Sequence, residues 1–414
     1  MAASVLVLGG GFAGLRAVRE LARGGRLLRG RRHVAVRLID RQADSEFSPL
    51  YPDLISGRMG PGVLRYPLAP ACRRLGAEFV QAEVRRIDAA GPAVETDHGR
   101  YEADFIICCL GCETNFFGDR QARAQALGLK TVSEGLAIRA AAERLLAEAA
   151  AGGERPSFIV VGGGYTGFES ASHLAHLVSR RTGLPFERLG EAAEIVIVER
   201  NDECLRNVSP QVRQWAAQLM AGFGVTVRTG VTVERFEDAD QAAEGAGSRG
   251  PQRVTLTDGT RRERAAVVWA AGVTPGDAVA AWDAPKAAGR RLKVDEQLRV
   301  GGLERIFAAG DVGGATRRGE DHPLRMGVQF SLMAGRCAAR NVLATLSGRR
   351  LEAFYPMDPG YIVPLAPGAG AGVIMGHELH GVSPQLLHYL MCSARSWGWA
   401  NRLGVLASAF RRRG

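Results

Sequence analysis

Cysteine is scarce: seven residues in 414, an odd number with no framework spacing. That excludes a disulfide-stapled secreted scaffold and points to free thiols in a reducing compartment. Long apolar runs are also missing. No window approaches the roughly 18–20 continuous apolar residues that a membrane-spanning helix requires. No cationic leader stands at the start, where an apolar strand begins within four residues of Met1. A secretory signal is therefore not expected, and a cytoplasmic location is. The eight histidines show no ligand pairing with cysteines or carboxylates, so no metal site is expected. What is present is a globular balance, with 46% apolar and 23% charged residues. The 53 glycines are spread along the chain, which suggests many tight turns. The net charge is +10 and the pI about 9.6, so an anionic partner has to be considered.

The most informative feature is an internal repeat. The apolar run Ser4–Leu8 leads into Gly9-Gly10-Gly11-Phe12-Ala13-Gly14 and then a helix with Leu15, Val18, Leu21 and Ala22 on one face. A second strand, Val34–Ile39, ends in Asp40. The pattern returns as Phe158–Val161, then Gly162-Gly163-Gly164-Tyr165-Thr166-Gly167, a helix with Ala171, Leu174, Ala175 and Val178 inward, and Ile195–Val198 ending in Glu199. A GxGxxG turn between strand and helix is the signature of a dinucleotide-binding unit. Its first glycine permits the turn, its second lets the pyrophosphate approach, and its third lets helix and strand pack. Asp40 and Glu199 would accept hydrogen bonds from an adenosine ribose. Both acids come later than the usual gap of about 20 residues. The excess reads as insertions at Arg23–Arg32 and Ser179–Glu194. A carboxylate at 199 favours a free 2′-hydroxyl, hence NADH over NADPH; Arg200 and Arg206 stand close to it in sequence.

A long helix is expected from about Ser133 to Ala150, and a polar surface loop over Asp238–Gln252. Two later strands, Ala266–Ala270 and Ile306–Ala309, end at Ala271-Gly272 and Gly310-Asp311. The expected class is α/β, with two Rossmann-like domains, the second inserted in the first, and a C-terminal helical segment. The boundaries are 1–154 and 276–348 for an FAD-binding domain, 155–275 for an NAD(H)-binding domain, and 349–414 for membrane association or dimerisation.

These two units, the Ala-Gly loop and the late Ala-Ala-Gly-Asp resemble the flavoproteins with two dinucleotide-binding domains. In that superfamily the late aspartate, here Asp311, contacts the FAD ribityl chain. Finer motifs resemble the type II NADH dehydrogenases, non-pumping NADH:quinone oxidoreductases. They are Phe47–Tyr51, Glu113–Gly118, Val268–Val273, Ile306–Asp311 and the tail at Asn401-Arg402-Leu403. The resemblance covers essentially the whole chain. It implies FAD at Gly9, Gly11, Phe12, Ala13, Gly14, Asp40, Arg41, Val84, Gly111, Gly310 and Asp311. It implies NAD(H) at Gly162, Gly164, Tyr165, Thr166, Gly167, Glu199 and Gly272. Glu169 matches a family glutamate near flavin and nicotinamide, and is a candidate for catalysis or proton handling. Gln329 matches the first of two glutamines on the family's quinone-side helix. The sequence departs from the pattern at the second, where Met333 stands, and lacks a downstream lysine in Tyr355–Tyr361. Quinone as acceptor rests on the remaining matches.

Rival flavoenzymes use cysteines. Disulfide reductases carry a redox pair near the flavin, and Phe47–Gly60 has none. Sulfide:quinone oxidoreductases use separated cysteines, which leaves Cys108, Cys109, Cys112 and Cys337 to be placed. Cys108 and Cys109 lie in the apolar strand Phe105–Leu110 and read as small hydrophobes. A third alternative is an FAD- and NAD-binding interaction protein resembling apoptosis-inducing factor.

From Leu379 to the end there is no Asp or Glu. Apolar residues including Leu386, Leu390, Trp397, Trp399, Leu403 and Phe410 alternate with or precede Arg395, Arg402 and Arg411–Arg413. Such segments suit interfacial helices on an anionic membrane surface, here the inner face of the cell membrane, or a homodimer interface. This accounts for part of the positive charge without nucleic acid.

Overall fold

The computed structural model describes residues 3–27, 34–88, 91–237, 252–365 and 368–410. Residues 28–33 of the first expected insertion, 238–251 of the expected polar loop, and Arg411–Arg413 lie outside them.

Two packed units form, and neither is continuous in sequence. The first comprises Met1–Glu46, Arg65–Glu113 and Val273–Asp358; the second comprises Phe47–Leu64, Thr114–Gly272 and Pro359–Gly414. The sequence boundaries at 154, 275 and 348 divide the chain differently. The reason is packing: the short helix Tyr51–Ser56 is wholly buried and lies against the helices Val132–Ala150 and Tyr165–Thr182 of the second unit.

The first unit is built on a five-stranded parallel sheet, in spatial order Ile306–Ala308, Phe105–Cys108, Ala3–Leu8, Val34–Asp40, Glu78–Gln81. Ala3–Leu8, Phe105–Cys108 and Ile306–Ala308 are almost wholly apolar and buried, as strands covered on both faces are, whereas the edge strand Glu78–Gln81 is polar at both ends. Leu6, Leu8, Ile39, Ile106 and Ile306 share one core cluster with Val84 and Ile87 of a small antiparallel meander. The helix Phe12–Leu27 packs along Val328–Leu346 at a close approach. A methyl group at Gly335 would lie 2.1 Å from the Ala13 carbonyl oxygen.

The second unit carries a six-stranded sheet in the order Thr226–Thr229, Glu194–Glu199, Ser157–Val161, Arg261–Trp269, Gln252–Leu256, Val233–Glu237. The first four are parallel and the last two antiparallel. The helix expected near 133–150 spans Val132–Ala150. Thr131 caps it by accepting from the Glu134 amide at 3.1 Å, and the Glu134 carboxylate accepts in return from the Lys130 amide at 2.5 Å. The second expected insertion has a structure of its own. The helix Tyr165–Thr182 runs long, Gly183 ends it in a left-handed conformation, and a 3-10 turn at Phe186–Glu191 precedes the next strand. A three-stranded meander, Gly360–Leu365, Ala369–Ile374 and His377–Gly381, leads to the helices Val382–Arg395 and Trp399–Phe410.

Candidate functional site

The two glycine turns have the same geometry. Gly9 and Gly162 sit at φ +98° and +110°, and a methyl group on either would strike the carbonyl oxygen of Cys109 or Ala270, at 2.3 and 2.6 Å. A methyl group on Gly14 or Gly167 would lie 1.8 or 1.9 Å from the carbonyl oxygen of Gly9 or Gly162. The middle glycines are different. A methyl group on Gly11 or Gly164 would meet nothing within 4 Å. These are the open faces that a pyrophosphate would occupy. The helix beginning at Tyr165 has no side-chain cap, and the positive end of its dipole favours an anion there.

Each acid at the end of the second strand is tied to its turn. Asp40 accepts from the Gly10 amide at 2.5 Å and the Gln42 amide at 2.7 Å. Glu199 accepts from the Gly163 amide at 2.7 Å and the Asn201 amide at 3.0 Å, and also from the Asn201 side chain. Burial raises the Asp40 carboxyl above its usual range, against the two amide donors. These bonds fix the carboxylates beside the turns; both Asp40 oxygens and Glu199 Oε2 keep a lone pair for a ribose hydroxyl donor, while Glu199 Oε1 already accepts twice from Asn201.

Within the first unit the structure brings most of the expected residues to one place. A methyl group on Gly310 would lie 3.0 Å from the Ala13 side chain. Asp311 accepts from the Ser331 hydroxyl at 3.3 Å. The loop after Asp311 is pinned by buried Arg291, which donates to the carbonyls of Leu324, at 2.7 Å, and Gly313. Gly111 sits in a left-handed conformation with open space at its α-carbon. Gln329 is half-buried in the first turn of Val328–Leu346. Arg41 is exposed and pairs with Glu83 at 3.5 Å, and the Val84 side chain packs in the core.

In the second unit Tyr165 stands edge-on to Tyr361 with ring centres 6.0 Å apart, and Thr166 is exposed. Gly272 follows the strand that contacts the turn, and its carbonyl accepts from the Asn115 amide at 3.0 Å. Glu169 lies one turn before His173 on the same helix face. The residue as a whole is half-buried. Burial first, and the charge of Asp53 second, hold its carboxyl well above the usual range.

A group the sequence reading missed surrounds this helix face. Asp53, Ser56, His173 and Tyr389 are all buried. Asp53 accepts from the Tyr389 hydroxyl at 2.7 Å, and Ser56 and His173 share a 2.8 Å hydrogen bond. The available signals were a lone aspartate in the apolar run Tyr51–Ile55 and a histidine between Ala171 and Leu174.

Three of the four thiols singled out from the sequence are poor nucleophiles, while Cys112 is half-buried with its sulfur 3.6 Å from the Asp311 carbonyl oxygen. Burial pushes Cys108 up to about 12 and Cys109 well above its usual range. Cys337 is also pushed up to about 12, and its sulfur turns to the Glu352 carbonyl at 3.7 Å. Among the described residues no group of three His, Cys, Asp or Glu side chains could hold a metal ion.

Residues 3–332 match the pyridine nucleotide-disulphide oxidoreductase family. The chain belongs to that family. It uses FAD and NAD(H), and the two open turns fit one dinucleotide each. A type II NADH:quinone oxidoreductase of Staphylococcus aureus is 25% identical over 384 residues, which is 91% of each chain. The structure of NDH2 from Plasmodium falciparum in complex with NADH superposes with a TM-score of 0.82 at 15% identity, covering 99% of this chain and 98% of the other. The sulfide:quinone oxidoreductase of Aquifex aeolicus superposes at 0.75 and 16% identity, covering 97% and 92%. Both superpositions establish the fold.

Proposed function

We propose that this protein is an FAD-dependent type II NADH:quinone oxidoreductase, taking hydride from NADH and delivering two electrons to a membrane quinone. The observation that carries the reading is the repeated open turn, with Glu199 beside the second. A turn of this kind holds FAD at Gly9, Gly11 and Gly14, with Asp40 on its ribose and Gly310 and Asp311 along its ribityl chain. Gly162, Gly164 and Gly167 receive the NADH pyrophosphate, and Glu199 accepts from the free 2′-hydroxyl while repelling a 2′-phosphate. The bound flavin supplies the redox chemistry, accepting hydride and passing on electron pairs. The chain orients the partners and handles protons. Burial and the Asp53 charge hold the Glu169 carboxyl well above its usual range, which favours the protonated form, and the proton can pass to a reduced acceptor. Gln329 supplies a side-chain donor and acceptor at the quinone side, where Met333 adds apolar surface. The similarity to the Staphylococcus aureus enzyme over 91% of both chains supports the same reading.

The C-terminal helices supply the membrane contact. No helix among the described residues is long and apolar enough to cross a bilayer. Val382, Leu386 and Leu390 are exposed at four-residue spacing on one helix, as are Trp399 and Leu403 on the next. Arg402 lies over the Trp399 ring at 5.1 Å. This stripe enters the head-group region of an anionic membrane at the cytoplasmic face.

A sulfide-oxidising reading is disfavoured at Cys108, Cys109 and Cys337, all buried and raised, and would have to use the half-buried Cys112 beside Asp311. The deciding assay is turnover of purified protein on anionic vesicles with NADH or sulfide as donor and a ubiquinone or menaquinone analogue as acceptor. NADH-driven quinone reduction at several turnovers per second or more supports the proposal. Turnover with sulfide alone overturns the donor, and a stable reduced flavin with no turnover points to a sensor.

A further inference from the structure

The mechanism above uses Glu169 and leaves a buried polar cluster beside it without a task. Three helices of the second unit build the cluster. Tyr51–Ser56 contributes Asp53 and Ser56, followed in the next turn by Arg58. Tyr165–Thr182 contributes Glu169, His173 and His176, and Val382–Arg395 contributes His388, Tyr389, Cys392 and Arg395. The Arg139–Glu143 pair of Val132–Ala150 flanks the end of the first of these, with the Arg139 guanidinium against Gly57.

The two carboxyls are not equivalent. Asp53 receives the Tyr389 hydroxyl at 2.7 Å, and the Arg58 guanidinium lies 4.9 Å from the Tyr389 ring centre. Arg58 is itself held by the Ala409 carbonyl at 2.8 Å, at the far end of the last described helix. His173 places Nε2 3.8 Å from the other Asp53 oxygen, too long for a hydrogen bond, and burial keeps this ring neutral. His176 and His388 are also lowered by burial, so neither offers a nearby cation at neutral pH. Neighbouring cation and donor thus favour the charge on Asp53, whose carboxyl is raised only to about 6. Glu169 lies one turn before His173 on the helix that packs against Tyr51–Ser56, and burial together with the Asp53 charge raises its carboxyl. Two neighbouring carboxyls in this relation resist losing both protons, and the charge is favoured on the one that has the donor.

We propose that Asp53 is a positioning residue that keeps Glu169 in its proton-carrying form, and that Tyr389 and Arg58, which the C-terminal helices hold in place, keep Asp53 ionised for that task. The inference rests on the reading of Glu169 as the proton-handling group. It adds that the C-terminal segment sets the charge of the active-site carboxyl as well as forming a surface.

The test is infrared titration of the carboxylic-acid C=O stretch in the FAD-loaded protein, with Glu169→Gln to identify the Glu169 band. At pH 7 the wild type should show a protonated acid that Glu169→Gln removes. Asp53→Asn keeps an acceptor for Tyr389 but removes the charge, and should lower the midpoint of that band by about one pH unit. Tyr389→Phe takes the donor from Asp53, moves the shared proton toward Asp53, and should also lower it. If Asp53→Asn does not load FAD, Tyr389→Phe decides alone. In either variant a midpoint equal to wild type overturns the proposal, as does a Glu169 that is already ionised at pH 7. A midpoint that moves as stated, with flavin reoxidation untouched by Glu169→Gln, leaves this coupling standing and removes the catalytic reading of Glu169.

Discussion

The turn at Gly9–Gly14 and the turn at Gly162–Gly167 are one geometry built twice, and the helices that follow them diverge within two residues. The clashes that enforce glycine at the first and third positions agree to within 0.3 Å between the two turns. Both acids return a hydrogen bond from the middle of the turn, through Gly10 and Gly163. Two residues past the last glycine, the first helix has Arg16, which pairs with Glu20 at 3.7 Å. The second helix has the half-buried Glu169, whose carboxyl is raised by burial and by the Asp53 charge. The first helix spends its inner face on Val328–Leu346, a packing contact. The second spends part of its inner face on a polar cluster. A binding cradle is thus a matter of backbone sterics and can be duplicated, whereas reactivity depends on what the next turn of helix is packed against.

The harshest way to break this comparison is to fill the cradles. Gly14→Ala should yield protein without bound flavin, because the new methyl meets backbone at 1.8 Å. Gly167→Ala should keep the flavin but raise the NADH concentration for half-maximal bleaching by at least about 100-fold, nearly 3 kcal/mol of binding. Absorbance of the purified proteins and an NADH titration check both. Flavin loss from the second variant would mean that the two turns are not independent sites.

Exchanging the divergent residues sharpens it. Glu169→Gln should slow flavin reoxidation by quinone about 100-fold, the scale of a lost general acid, with NADH reduction nearly unchanged. Arg16→Gln, at the matching place, should leave both half-reactions at wild-type rates in stopped-flow absorbance. Glu199→Gln removes the charge that repels a 2′-phosphate. It should cut the preference for NADH over NADPH in kcat/KM by about 10- to 100-fold. The smallest effect lies outside both cradles: Thr131→Ala should cost about 1 kcal/mol of stability through the lost cap. Denaturant unfolding measures that loss, with cofactor binding intact.

What could be read from the sequence was local. Each cradle lies within six consecutive residues, and the strand before it and the acid after it follow in order, so periodicity and glycine spacing disclose them. Asp311 was singled out only by the family resemblance, since an acid after an apolar strand carries no role by its pattern alone. The Asp53–Tyr389 hydrogen bond joins residues 336 positions apart, and no local pattern encodes such a meeting. The weave of the chain was hidden likewise. Phe47–Leu64 joins the second unit because its buried helix finds partners at Val132–Ala150 and Tyr165–Thr182, a matter of tertiary packing. The cysteines were legible in part: Cys108 lies in an apolar strand and is buried, as a small hydrophobe would be. The sulfur of Cys337 faces the Glu352 carbonyl, which only the fold discloses.

The central claim is that electrons enter from NADH at the second cradle and leave to a quinone. Anaerobic rapid mixing of FAD-loaded protein tests it most directly, first with NADH and then with a soluble quinone analogue, following flavin absorbance. The account predicts fast bleaching by NADH and fast recovery on adding quinone. Failure of NADH to bleach the flavin, or a bleached flavin that quinone does not restore, would contradict it.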